Sequence, residues 1–345
     1  MTRARPRVAV IFTGGTISMR VDPVAGGNVP TLSGADILGR TPGLDDIAEI
    51  VTTDLGRTPA SHFSFSQLFG IGAAIREAQA DPTIAGVVVV QGTDVIDETA
   101  FFWDLILDHQ APVVVTGAMR SASVPDGDGP ANLRDAVRSA ASPGLRGAGV
   151  VVVLAGAIDP ADDVTKTHAS ALDTFRSPND GRLGRIEGDA VILERQRGAR
   201  RQVATTSAAE HVRLLTAHVA MDGSMVDAAV AAGADGLVIE ATGAGNTSAA
   251  VLDAAIRAMR AGIPIVLTTR CPAGAASADY AFPGGGATWV RAGAMLAGTL
   301  SGPKARIALA LGLGAGLDQT GLAALLSGPS GSPGPPGRPG PGGPA

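Results

Sequence analysis

The stretch Val87-Val88-Val89-Val90-Gln91-Gly92-Thr93-Asp94 decides the fold. Four consecutive branched apolar residues leave a strand no polar side, so both of its faces must be covered, the condition of parallel sheet under helices. The run halts at a glycine. Residues 97–108 then carry helical spacing, and a second apolar run follows at 112–115. Strand, loop, helix and strand within roughly 30 residues is a βαβ unit.

Working outward, the same alternation recurs. Apolar runs at 8–12, 150–154, 212–218, 237–239 and 263–267 predict further strands, and alanine-rich segments at 132–141, 225–232 and 249–261 predict helices. The expected fold is α/β: a mostly parallel sheet covered by helices in a large N-terminal domain, with a smaller C-terminal α/β domain. The division read from composition is 1–190 for the first domain, 191–211 for a linker, 212–327 for the second domain and 328–345 for a Gly/Pro-rich tail. Such a tail cannot bury a core. The boundary comes from a polar break at 188–210. Inside it, Arg195, Arg197, Arg200 and Arg201 are read as a solvated loop, since no aromatic residues accompany them to stack nucleic-acid bases.

A length of 345 residues exceeds one typical domain of roughly 100–200, which agrees with that division. Aromatics make up 3% of the chain, so packing must rest on Ala, Val, Leu and Ile. A net charge of −5 offers no general attraction to nucleic acid or anionic lipid. The single cysteine, Cys271, excludes an intrachain disulfide, and nothing pairs it with a histidine as a nucleophile. The apolar run at 8–12 is too short for a secretion signal, and no run approaches the roughly 18 apolar residues of a membrane helix. The expectation is a cytoplasmic protein with neither nucleic-acid nor membrane partners. The scattered histidines have no metal-ligand spacing, so no metal is expected.

Three polar segments carry the chemistry. Thr13-Gly14-Gly15-Thr16 directly follows the first strand, and its glycines allow a sharp turn and close approach to a ligand. Its glycine spacing fits neither a dinucleotide fingerprint nor a Walker loop, which also needs a lysine. Residues 20–30, rich in glycine and containing proline, are read as a mobile lid. Gln91-Gly92-Thr93-Asp94 follows a second strand; the plain alternative is that Thr93 or Asp94 caps the next helix. The third segment is Asp163-Val164-Thr165-Lys166-Thr167. The chain has two lysines against 25 arginines, and one of the two stands here. A buried amine can lose its proton and act as a base, whereas a guanidinium stays charged. The competing reading makes Lys166 a surface residue paired with Asp162 or Asp163. Together the segments point to a threonine nucleophile with a Thr–Lys–Asp relay, the apparatus of an amidohydrolase. Ser61 can be read as a helix N-cap, and Gly117-Ala118-Met119-Arg120 with Asp128-Gly129-Pro130 as walls of the site.

These segments, with Glu98-Thr99-Ala100, Asn132, Gly243-Ala244-Gly245-Asn246 and Gly302-Pro303-Lys304-Ala305-Arg306, resemble in order the bacterial-type L-asparaginase/glutaminase family. The resemblance spans about residues 7–320. It implies hydrolysis of the side-chain amide of L-asparagine, and of L-glutamine as a secondary or alternative substrate, by a homotetramer or homodimer with no cofactor. It makes Thr16 the nucleophile and Thr93, Asp94 and Lys166 the second threonine centre. It makes Ser61, Gly92, Thr93, Asp94, Ala118 and Asn246 substrate-binding, with Asn246 serving a neighbour's site. Three departures stand out. Gln91 replaces the family's usual histidine. No tyrosine lies in the lid; the chain's one tyrosine, Tyr280, is expected to supply the phenol or to close the pocket, from its own or a partner subunit. Residues 273–286 hold Asp279 where some members lend a glutamate. An ammonia-releasing amidotransferase subunit and a non-catalytic amino-acid-binding protein are the competing functions.

Overall fold

The computed structural model describes residues 5–108 and 111–328. The tail expected at 328–345 lies, apart from Gly328, outside those residues. Eight strands form the larger sheet in the order Ala190–Leu193, Gly184–Glu187, Ala157–Pro160, Val150–Leu154, Val113–Thr116, Ile84–Val90, Arg7–Phe12 and Glu49–Asp54. The five from Val150–Leu154 to Glu49–Asp54 are parallel, and the pairings beyond Val150–Leu154 are antiparallel.

The chain leaves Arg7–Phe12 for the edge strand Glu49–Asp54, then returns to the opposite side of Arg7–Phe12 as Ile84–Val90. Strand order therefore reverses between Arg7–Phe12 and Ile84–Val90. Crossovers on either side of such a switch point diverge, and a crevice opens outside the carboxyl ends of its two strands. The loops that begin at Thr13 and Gln91 leave from those ends.

Val87–Val90, Val113–Val115 and Val150–Val153 have no exposed surface, as their unbroken apolar sequence demands. Alternate residues serve opposite layers. Val87 and Val89 pack with Phe101 and Trp103, whereas Val88 and Val90 pack with Leu133 and Val137. The helix Ile96–Ile106 buries nine of its eleven residues because it is covered on two sides. One side is the large sheet; the other is the helix Gly302–Gly314 of the second domain. Phe101, Phe102 and Trp103 thus share a single apolar cluster with Ala305, Ile307 and Leu311. The second domain has its own parallel sheet, ordered Val212–Thr216, Gly236–Ala241, Ile265–Thr269 and Met295–Leu296. No helix among the described residues is long and apolar enough to cross a membrane.

The arginines at 195–201 correct the sequence reading, for this is not a solvated loop. Arg197 grips Asp104 with both terminal nitrogens, at 2.9 and 2.6 Å, and reaches Asp162 at 2.8 Å. Arg200 reaches Asp104 at 3.1 Å. The Asp104 side chain is 1% exposed and that of Arg197 5%. Burial works against the Arg197 charge, but Asp104 and Asp162 outweigh it and hold the guanidinium above its usual range. The segment read as a break in the pattern therefore latches onto the helix Ile96–Ile106.

Asp159, 2% exposed on the strand Ala157–Pro160, provides a pH test of the packing. Burial pushes its carboxyl up to about 6, against a hydrogen bond from Ser177 and helped by nearby Asp163. The native state thus binds this proton more readily than the unfolded chain. Between about pH 4 and 6 the native state holds the extra proton, so this carboxylate's contribution to stability falls as pH rises through that window. Asp159→Asn is expected to be more stable than the parent above pH 6, by about 1–3 kcal/mol, and equal to it below pH 4. Urea titrations at pH 4 and 7.5 read the difference; equal shifts at both pH values would exclude this origin.

Candidate active site

Glycines press the two switch-point loops together. Thr13 donates its N–H to the Val90 carbonyl at 3.0 Å and its hydroxyl to the same oxygen at 3.1 Å. Gly15 sits at φ +94°, and a Cβ there would lie 2.2 Å from the Gly92 nitrogen. A side chain at Gly15 would therefore drive the loops apart. A Cβ at Gly117 would stand 2.5 Å from the Gln91 carbonyl oxygen, so the third loop closes in the same way. Thr16 and Thr93 each follow the glycine that makes the first of these contacts.

Thr16 opens a short 3₁₀ turn, Thr16–Ser18, and is half-buried. Thr93 opens another, Thr93–Val95, and is 5% exposed. Lys166 comes from the two-residue strand Thr165–Lys166, paired with Phe175–Arg176. Its Nζ lies 3.1 Å from Thr93 Oγ1 and 2.9 Å from Asp94 Oδ1. The Lys166 side chain is 14% exposed, that of Asp94 73%. A pair with one member so open contributes at most about 1 kcal/mol of stability.

The bland alternatives fail on geometry. Neither Thr93 nor Asp94 caps the helix Ile96–Ile106, whose N-cap is Val95 with no side-chain hydrogen bond. Lys166 pairs with Asp94, while Asp162 is taken by Arg197 and Asp163 accepts the Asn179 and Asp180 amides. Ser61 does not cap the following helix. Ser64 does, in a reciprocal capping box with Gln67 ahead of Phe65–Ala80. Ser61 is exposed in the turn Ala60–His62, and that turn abuts the first two loops: a Cβ on Gly92 would meet the Ala60 methyl at 3.2 Å.

Gln91 has no exposed surface. It accepts the Thr99 hydroxyl at 3.0 Å and donates to the Gly92 carbonyl, bracing the loop from behind. Ala118 is fully buried in the third loop. Asp128 accepts the N–H groups of Met119 and Arg120, each at 2.9 Å. Asn132 donates to the Gly117 carbonyl and accepts the Ala155 N–H, both at 3.0 Å. These side chains hold the wall in place.

The segment read as a lid is a hairpin, Met19–Asp22 against Gly27–Pro30. It is tied to the third loop where Ala122 N–H meets the Met19 carbonyl and Val21 N–H meets Ser123 Oγ. Asn246 lies apart on the second domain, in the loop after Gly236–Ala241, where its backbone pairs with Thr242 and its side-chain oxygen is buried without a hydrogen-bond partner. Tyr280, also on the second domain, stands 6.1 Å from the Phe282 ring and is 46% exposed. The chain thus brings Thr93, Asp94 and Lys166 into contact, with Thr16, Ser61 and Ala118 each next in sequence to a residue (Gly15, Ala60, Gly117) packed close to the Gln91-Gly92 backbone, and leaves Asn246 and Tyr280 on the second domain. Sequence reasoning passed over Asp97, which accepts the Lys166 backbone N–H at 3.4 Å, and Lys304. The rarity of lysine that singled out Lys166 applies equally to Lys304.

Fold and site together define a class: a two-domain α/β protein whose hydroxyl, amine and carboxylate groups meet at a sheet switch point. The chain belongs to the asparaginase family. A family model described as "Asparaginase, N-terminal" matches residues 7–198, and one described as "Glutaminase/Asparaginase C-terminal domain" matches residues 211–326. A probable L-asparaginase of Deinococcus radiodurans is 36% identical over 317 residues, 90% of this chain and 93% of the relative. An L-asparaginase of Bacillus licheniformis is 32% identical over 305 residues, 88% and 94% respectively. The solved structure of a probable cytoplasmic L-asparaginase from Campylobacter jejuni matches with a TM-score of 0.82 at 26% identity, over 93% of this chain and 99% of that one.

Proposed function

We propose that the chain is an L-asparaginase that hydrolyses the side-chain amide of L-asparagine to L-aspartate and ammonia through a threonine acyl-enzyme. The observation that carries this reading is the Lys166 amine held between Thr93 and Asp94 at the switch point of a chain of this family. Thr16 Oγ attacks the amide carbon, its proton leaves with ammonia, and water then cleaves the ester. Thr93, held by Lys166, relays the proton. The open carboxylate of Asp94 receives the substrate ammonium and Ser61 its carboxylate. Backbone groups at Gly92 and Ala118 stabilise the oxyanion, a contribution that often dominates such hydrolysis.

The reading extends to a homotetramer or homodimer in which Asn246 serves a neighbour's site and Tyr280 supplies the phenol missing from the hairpin. It keeps the domain division of 1–190, 191–211 and 212–327, and a cytoplasmic location like that named for the Campylobacter jejuni protein. Ammonia release by the purified chain from L-asparagine and L-glutamine tests it, with asparagine expected to be the faster. Ligand-induced stabilisation by both amides without ammonia from either would replace the enzyme with a binding protein.

A further inference from the structure

The chain's second lysine stands where a lysine is hard to keep. Lys304 lies in the first turn of Gly302–Gly314, 2% exposed. Burial disfavours its charge, and so does the positive end of the helix dipole. Replacing a buried charge with apolar volume often stabilises a fold, so a lysine kept here asks for a reason. The amine sits over the Phe101 ring, 5.9 Å from its centroid, and Nζ donates to the Val164 carbonyl at 2.6 Å. Val164 lies two residues before Lys166. On the other side, Asp97 accepts the Lys166 N–H.

The strand so held also pairs with Phe175–Arg176, and the clamp adds to that pairing. Thr165–Lys166 is two residues long and borders a cavity of about 220 Å³ lined by Asp97, Asp163, Thr165, Cys271 and Lys304. We propose that Lys304, working with Asp97, is a positioning residue: from the second domain it clamps the strand that presents the Lys166 amine to Thr93 and Asp94. The proposal rests on the asparaginase reading. Around the Lys304 ammonium, Asp97, Asp162 and Asp163 favour the charge, while burial and Arg197 oppose it and bring it down to about 8.

A misplacement of about 1 Å at a reacting group costs on the order of 100-fold in rate. Lys304→Met should therefore lower kcat for asparagine roughly 10- to 100-fold with KM little changed, and Lys304→Gln, which can still donate to Val164, should recover part of the loss. A second readout uses the chain's scarcity of lysine. With ¹³Cε-labelled lysine the full chain gives two side-chain signals, and in Lys304→Met the remaining one reports Lys166. Its titration midpoint should move from the parent's. Unchanged kcat and an unchanged midpoint in folded Lys304→Met would overturn the clamp, whatever the melting temperature. If that variant does not fold, Asp97→Ala decides by the same two readouts. An inactive parent would refute the asparaginase reading, and the lysine signal would still report on the clamp.

Discussion

Thr16→Ala is expected to lower kcat/KM for L-asparagine by roughly 10³ or more, and Lys166→Met by roughly 10²–10⁴. The two losses have different origins. Thr16→Ala removes the attacking oxygen, whereas Lys166→Met leaves that oxygen and removes the cation that orders Thr93 and Asp94. Neither change should disturb the fold. Thr16→Ala removes one hydroxyl and one methyl from a half-buried position, and the ion pair lost with Lys166 involves a carboxylate open to solvent, where such pairs contribute less than about 1 kcal/mol. Melting temperatures near the parent's, measured with the kinetics, separate lost chemistry from lost structure. Lys166→Met retaining a tenth or more of the parent activity, beside a dead Thr16→Ala, would remove the lysine from the mechanism.

The second large effect concerns stability. Asp104→Ala is expected to cost about 3–5 kcal/mol, because it takes from buried Arg197 the carboxylate that grips both of its terminal nitrogens, leaving it Asp162 alone, and takes from Arg200 its carboxylate partner. For a chain of this size that is a fall in melting temperature on the order of 10 °C. The exposed pair Arg257–Asp227 provides the control, at a similar 2.8 Å but with both side chains more than half exposed. Asp227→Ala should change stability by less than about 1 kcal/mol. The double variant Asp104→Leu with Arg197→Met should regain part of the loss, since it removes the most buried pair together, although Arg200 and Asp162 each still lose a partner. An Asp104→Ala protein that melts within a degree or two of the parent would show that solvent reaches the latch.

Sequence revealed what repeats and what is scarce. Unbroken valine runs placed the central parallel strands, and the short polar segments at their carboxyl ends placed Thr16, Thr93 and Asp94. The edge strand Glu49–Asp54 escaped because one of its faces is wet, so its sequence, Glu-Ile-Val-Thr-Thr-Asp, carries little apolar signal. The antiparallel strands Ala157–Pro160 and Gly184–Glu187 escaped because charged residues interrupt each short run, and Ala190–Leu193 because it lies inside the polar stretch at 188–210. Burial of Arg197 was illegible because its partner Asp104 is 93 residues away in the chain and sits in an apolar helix, where an isolated acid looks like an exposed one. Ser61 was offered as a cap because Ser, three residues early, has the right chemistry; only the turn Ala60–His62 shows that the helix begins after Ser64.

The apolar cluster that runs from Trp103 to Leu311 without a seam has a thermodynamic consequence. Domains joined by a hinge melt and breathe separately, but here neither half can loosen without exposing the aromatic surface of the first domain and the aliphatic surface of the second. The crevice built by the first domain therefore takes its rigidity from the second. A substitution in Gly302–Gly314, however far from Thr16, acts on the same cooperative unit as one beside it.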